Sequence, residues 1–130
     1  MRPEAQLWIE DAHYDLDTAR DMLEHDRWNY SVFLARQAVE KLLKAGFLLL
    51  LRQPVPREHN LLELARSCFG DSTPEAVRHT LTLLNPHYTV TRYVDAALGR
   101  PAELYERSFA QTAPQGAEEV MAWIESHFLT

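Results

Sequence analysis

Apolar residues recur along most of this chain at intervals of three and four, the repeat of an amphipathic helix. Trp8, Ala12, Leu16, Ala19, Met22 and Leu23 share one face of a first helix, predicted to run from about Pro3 to about His25. A proline in the first turn loses no hydrogen bond there. A second helix is predicted from about Trp28 to about Arg52, stopped by Pro54 and Pro56. Its first half turns Ala35, Val39, Leu42 and Gly46 toward a core and lines up Gln37, Glu40, Lys41 and Lys44 in a polar stripe opposite. Asn60, with Glu63 three residues on, reads as a capping box that opens a short third helix. Thr73 and Pro74 read as the cap and first position of a fourth, ending near Asn85 and Pro86. A last helix is predicted over roughly 114–128, with Val120, Met121, Ile124 and Phe128 inward. The nearest thing to a strand, YTVTRYV, is short and follows a proline. The pattern predicts an all-α fold: an antiparallel up-and-down bundle of about five helices, with residues 1–130 as one domain.

The second half of helix two changes the picture of assembly. There Phe47, Leu48 and Leu51 occupy the side that carried the polar stripe, so the helix is apolar nearly all round and needs cover on every side. Neighbouring helices or a second copy supply that cover, and a homodimer is the expectation. The apolar block AGFLLLL, residues 45–51, falls far short of the ~20 residues of a membrane span, so no membrane partner is expected. The first residues are mixed and acidic, unlike a signal peptide. Cys68 is the only cysteine, which leaves no intramolecular disulfide and no cysteine zinc site and fits a reducing cytoplasm. A net charge of −6 argues against a protein coated in basic surface, while leaving room for a local basic cleft.

Several residues invite a chemical role. The stripe on helix two is either a solvated face with internal ion pairs or a set of donors for phosphate and ribose. Asp15 sits in the apolar face of helix one, and a buried carboxylate needs a partner; Lys41 and Arg92 both qualify. His59 stands between a proline-rich turn and a helix start, where it either packs beside the cap or joins an anion site. The connection from Pro86 to Pro114 is long and holds Tyr88, Arg92, Tyr93, Tyr105 and Arg107, a mixture suited to stacking on bases. Asp95, Glu103 and Glu106 offset its positive charge. The six histidines show no metal-ligand spacing, and the chain has neither a glycine-rich phosphate loop nor a nucleophile triad readable from spacing. No metal or cofactor is therefore expected.

Three segments, ARQAVEKLLKA at 35–45, HNLLEL at 59–64 and YTVTRYVD at 88–95, resemble the HEPN family (higher eukaryotes and prokaryotes nucleotide-binding) and occur in its order. TRYVD is similar to the family's RYPD, with Val94 in place of proline. The resemblance implies a helical, dimeric, cytoplasmic module that binds a nucleotide or RNA. It implies Gln37, Glu40, Lys41, Lys44, His59, Arg92, Tyr93 and Asp95 as ligand-binding residues, supported by Asp15. It further implies a separate minimal nucleotidyltransferase as partner, commonly in a toxin–antitoxin pair. The same fold resembles the helical domain of aminoglycoside nucleotidyltransferases.

Many HEPN proteins are metal-independent ribonucleases that use an Arg, four to six residues, then a His. Arg52 and His59 match with six residues between, which makes them the catalytic candidates, although they span a helix end and a proline turn rather than a later helix. No His follows Arg92 at that spacing. Three functions compete: a non-catalytic binding module, a ribonuclease toxin, and a purely structural assembly bundle.

Overall fold

The structure, a computed structural model, describes residues 2–129. The described residues fold into helices joined by short turns, with no strand among them: α1 (Pro3–Glu24), α2 (Trp28–Gly46), a π-helical turn (Phe47–Leu51), α3 (Leu61–Phe69), α4 (Glu75–Leu84), α5 (Val94–Ala97), a 3-10 turn (Pro101–Glu103) and α6 (Arg107–Ser126). The long helices pack as the expected antiparallel bundle. α2 is its axis, flanked by α1, α3 and α6. Val32, Ala35, Ala38, Val39, Leu42 and Leu43 of α2 are fully or almost fully buried. Leu16, Leu61, Leu64, Leu81, Leu84, Val120, Met121 and Ile124 close one continuous core around them. Each such aliphatic side chain contributes about 2 kcal/mol by leaving water.

The ends of the helices follow local chemistry. Asn60 caps α3 by accepting from the amides of Leu62 and Glu63. The second half of the expected capping box is absent, because Glu63 pairs with Arg66 at 2.7 Å. Glu58 takes its place and accepts from the amides of His59 and Asn60. α4 starts one residue later than the sequence suggests, with Pro74 as its cap residue and no side-chain cap.

One expectation is corrected. α6 begins at Arg107, not near 114, so Pro114 lies inside the helix and is buried. Glu106 precedes α6 without capping it by a side chain, so the true start carries no local signal. The proline has no N–H to offer the turn before it. The connection that looked long, 86–114, is thus divided by α5, the 3-10 turn and the first turns of α6. For the apolar end of helix two, the first of the two covers expected is present. Phe47 and Leu48 are 7% and 2% exposed within one chain, so these side chains need no second copy to cover them.

That end is not plain α-helix. From Phe47 to Leu51 the chain widens into a π turn, and Arg52 then reverses it in a left-handed conformation (φ 53°). The amide of Gln53 closes the turn on the carbonyl of Phe47 at 2.9 Å. The following segment, 52–60, carries His59 back to the flank of α2.

Candidate functional site

The centre of the site is Arg36, a guanidinium 1% exposed. Its Nη1 donates to Glu40 Oε1 at 2.7 Å and to Gln37 Oε1 at 3.0 Å. Its Nε donates to the carbonyl of Asn85 at 3.1 Å, and its Nη2 to the carbonyl of His59. One side chain of α2 thereby fastens the loop before α3 and the turn after α4. Such a charge is tolerable in a core only because each of its three nitrogens finds an acceptor. Asn85 adds a second tie, its Oδ1 accepting from the amide of Leu61 at 2.8 Å.

Glu40, one turn on, is also buried and gathers three donors: Arg36, Lys44 Nζ at 3.0 Å and His59 Nδ1 at 2.9 Å. Burial pushes its carboxyl up, but the hydrogen bonds from Arg36, His59 and Lys44 outweigh burial and hold it below the ordinary range. Because a carboxylate only accepts, Nδ1 of His59 carries the proton and Nε2 is the acceptor of the neutral ring. The His59 side chain is about half exposed (48%).

Outside this buried group lies an aromatic and cationic surface. The rings of His59 and Tyr88 stack with centroids 4.4 Å apart, and the Tyr88 hydroxyl stands 3.3 Å from Nε2, long for such a bond. Arg92 donates through Nε and Nη2 to the carbonyl of Tyr88 at 3.0 and 2.7 Å. Its guanidinium carbon lies 4.2 Å from the Phe33 ring centre and 4.9 Å from those of Tyr88 and Tyr93. No carboxylate pairs with it among the described residues. A cation held by one carbonyl and three ring faces keeps an unneutralised charge at the surface.

The polar stripe of helix two therefore does not act as one face. Gln37, Glu40 and Lys44 turn with Arg36 toward His59, and Glu40 and Lys44 are buried, against the reading of a solvated face. Lys41 turns the other way, to α1, where its Nζ reaches Asp11 and Asp15 at 2.7 Å each. The partner of Asp15 is thus Lys41 and not Arg92. Asp11 and Asp15 hold Lys41 above its ordinary pKa despite burial, whereas burial pushes Asp15 up and its shared lysine only partly offsets this. Lys41 and Asp15 stand apart from the His59 and Arg92 surface. Tyr93 is half exposed beside Arg92, and Asp95 is exposed in α5 with no ion pair among the described residues. Arg52 lies at the left-handed residue ending the π turn, beside Leu48 and Leu49, and makes no hydrogen bond to His59. The arginines that share a site with His59 are Arg36 and Arg92.

The HEPN domain family matches residues 5–127. The chain belongs to the HEPN family. Among solved structures it is similar to TT1696 from Thermus thermophilus, with a TM-score of 0.85 and 31% identity over 96% of this chain and 98% of the other. It is also similar to ST0689, an archaeal HEPN homologue, with a TM-score of 0.80 and 25% identity over 98% and 99% of the two chains. A curated relative from Methanocaldococcus jannaschii, named "Putative toxin MJ1304", is 28% identical over 93% of this chain and 86% of its own length. Against the HEPN pattern, Val94 in place of proline is a mild change. It occupies the first position of α5, after Tyr93 in extended conformation, where a proline fits and any residue can stand.

Arg36 was not among the residues singled out from the HEPN segments. The signal was present: Arg36, Glu40 and Lys44 fall four residues apart, a single file along one helix line that alternates in sign.

Proposed function

We propose that this chain is a nucleotide- or RNA-binding HEPN module that works beside a separate minimal nucleotidyltransferase in a toxin–antitoxin pair, in the cytoplasm and as a homodimer. The observation that carries the binding reading is Arg92: a surface arginine without a carboxylate, set among Phe33, Tyr88 and Tyr93 next to the His59 ring. Aromatic faces stack on bases and an unpaired guanidinium takes a phosphate. The likeness to a relative named as a toxin supports the toxin–antitoxin setting. Titration of the purified protein with mononucleotides and short RNAs tests the reading. Arg92→Ala should weaken binding at least tenfold, and RNA should stay intact throughout. Unchanged binding in that variant removes the proposed site.

One observation favours ribonuclease action as a second reading. Glu40 fixes the Nδ1 side of His59 and leaves Nε2 as an acceptor on a half-exposed ring, the arrangement of a general base. In this reading His59 works with Arg92 rather than Arg52. Metal-free cleavage of RNA by the wild type, lost in a folded His59→Ala variant, would replace the binding module by an enzyme.

A further inference from the structure

Arg92 also forms part of the wall of an open groove of about 280 Å³. The groove brings together the turn between α1 and α2, the first turn of α2, and the stretch leading into the 3-10 turn. Arg27, Arg92 and Arg100 line it, with Tyr30 and Val94 supplying apolar surface. Its one carboxylate, Asp26, already accepts from Arg107 at 3.0 Å. The Arg27 side chain is exposed and makes no ion pair among the described residues. Arg100 pairs only with Glu103 at 3.0 Å, and both side chains are mostly in solvent, a bond that water and salt readily exchange. The gathering is built into the fold. Buried Asn29 donates to the carbonyl of Thr91 at 3.0 Å, and this bond ties the start of α2, beside Arg27, to the turn that presents Arg92.

Three arginines from three separate segments, in a chain of net charge −6, make a local positive trough. We infer that this groove is a second subsite, for the sugar–phosphate backbone of single-stranded RNA, so that the ligand is a strand continuing past Arg92 to Arg27 and Arg100 rather than a lone nucleotide. The inference rests on the reading of the Arg92 surface as a nucleotide site and extends it to the class of ligand. Guanidinium forks suit successive phosphates. Tyr30 and Tyr93, each about half exposed, offer stacking faces to bases, which an acidic peptide would not use.

The experiment compares binding of AMP with binding of labelled oligouridylates from about 4 to about 16 nucleotides, the range of single-strand site sizes. In the wild type, affinity should rise with length beyond the mononucleotide. The double variant Arg27→Ala/Arg100→Ala should bind AMP as the wild type does but lose that rise. Its slope of log K against log salt should be shallower by about 1.4, or roughly 0.7 for each phosphate contact removed. Arg27→Lys/Arg100→Lys should restore the slope. If the double variant binds long RNA with wild-type affinity and slope, the groove is no backbone subsite, while the nucleotide site at Arg92 stands. Equal wild-type affinity for AMP and long RNA overturns the inference in the same way. Tighter binding of poly-glutamate than of oligouridylate would assign the groove to an acidic protein instead. Binding of neither AMP nor RNA by the wild type would overturn both readings.

Discussion

Arg36 spends one guanidinium on four acceptors, from Gln37, Glu40, His59 and Asn85. Arg36→Ala would leave Glu40 buried with Lys44 and His59 as its remaining donors, and two backbone carbonyls without partners. Loss of one partner from a buried pair costs about 3–5 kcal/mol, and denaturant unfolding should show a loss of that order. Arg36→Lys should recover only part, because an ammonium group cannot span the planar fork. At this scale the sequence was half legible. Asp15 stood out as a carboxylate on an apolar face, and it is buried and paired. Its choice of Lys41 over Arg92 depends on how α1 turns against α2, which no one-dimensional pattern contains. Arg36 escaped notice because its neighbours Ala35, Ala38 and Val39 define a core face, and a buried arginine next to such a face is uncommon.

Among the elements, α1 with its N-terminal proline, the start of α2 and the start of α3 behind Asn60 were read nearly to the residue, while the change from α-helix to a π turn after Gly46 left no mark in the sequence. The start of α6 was misplaced because Pro114, which usually opens helices, sits inside this one, and the actual start has no capping side chain. Asn60 shows the converse. Its carboxamide serves two amides, so Asn60→Ala should cost about 1 kcal/mol in thermal unfolding. Because the same cap precedes α3 and follows His59 directly, a small fall in nucleotide affinity should accompany it. Phe47 belongs to this scale as well. With the side chain buried among the chain's own helices, Phe47→Asp should unfold the protein rather than yield a folded monomer, and circular dichroism and light scattering together separate the two.

Across the whole molecule, the buried titratable groups set a window of stability. Burial and the nearby Arg36 charge hold His87 below its ordinary value of 6.5. As a neutral ring it shares a hydrogen bond of 2.6 Å between its Nδ1 and the hydroxyl of Tyr105, a phenol that burial pushes up to about 12. A depressed histidine gives stability that is present above 6.5 and lost as pH falls below that value. Glu40, also depressed, adds stability that is lost only as pH drops below 4.5. Lys41, raised, gives stability that is complete below 10.5 and lost as pH climbs past that value. Asp15, raised by burial, runs against Glu40 and softens the acid limb, since its contribution declines as pH rises above 3.8. Burial also pushes the Cys68 thiol from 9.0 up to about 12, so the unfolded chain gives up that proton first and stability declines as pH rises past 9.0. The melting temperature should therefore be highest between about pH 6.5 and 9 and begin to fall on acidification first through His87. His87→Gln should flatten that first step and leave the fall below 4.5 in place. The groove of Arg27, Arg92 and Arg100 was the least legible feature of all. Asp26, Asp95 and Glu103 lie within three residues of these arginines along the chain, and only folding turns Asp26 to Arg107 and sets the three segments side by side.

The π turn at Phe47–Leu51 has a consequence for insertions and deletions. A π turn holds about one residue more than the α-turn it replaces. That residue is slack between a rigid axis and the segment that delivers His59. Removing Leu50 would let that turn close as ordinary α-helix, with the same core on its inner side, and the segment beyond would leave the helix in nearly the same direction. Such a deletion should leave helical content almost unchanged by circular dichroism and nucleotide binding largely intact, whereas removing one residue from the α-helical part of α2 should turn everything beyond by roughly 100° and abolish binding. Two homologues differing by one residue there would be alike both in architecture and in activity.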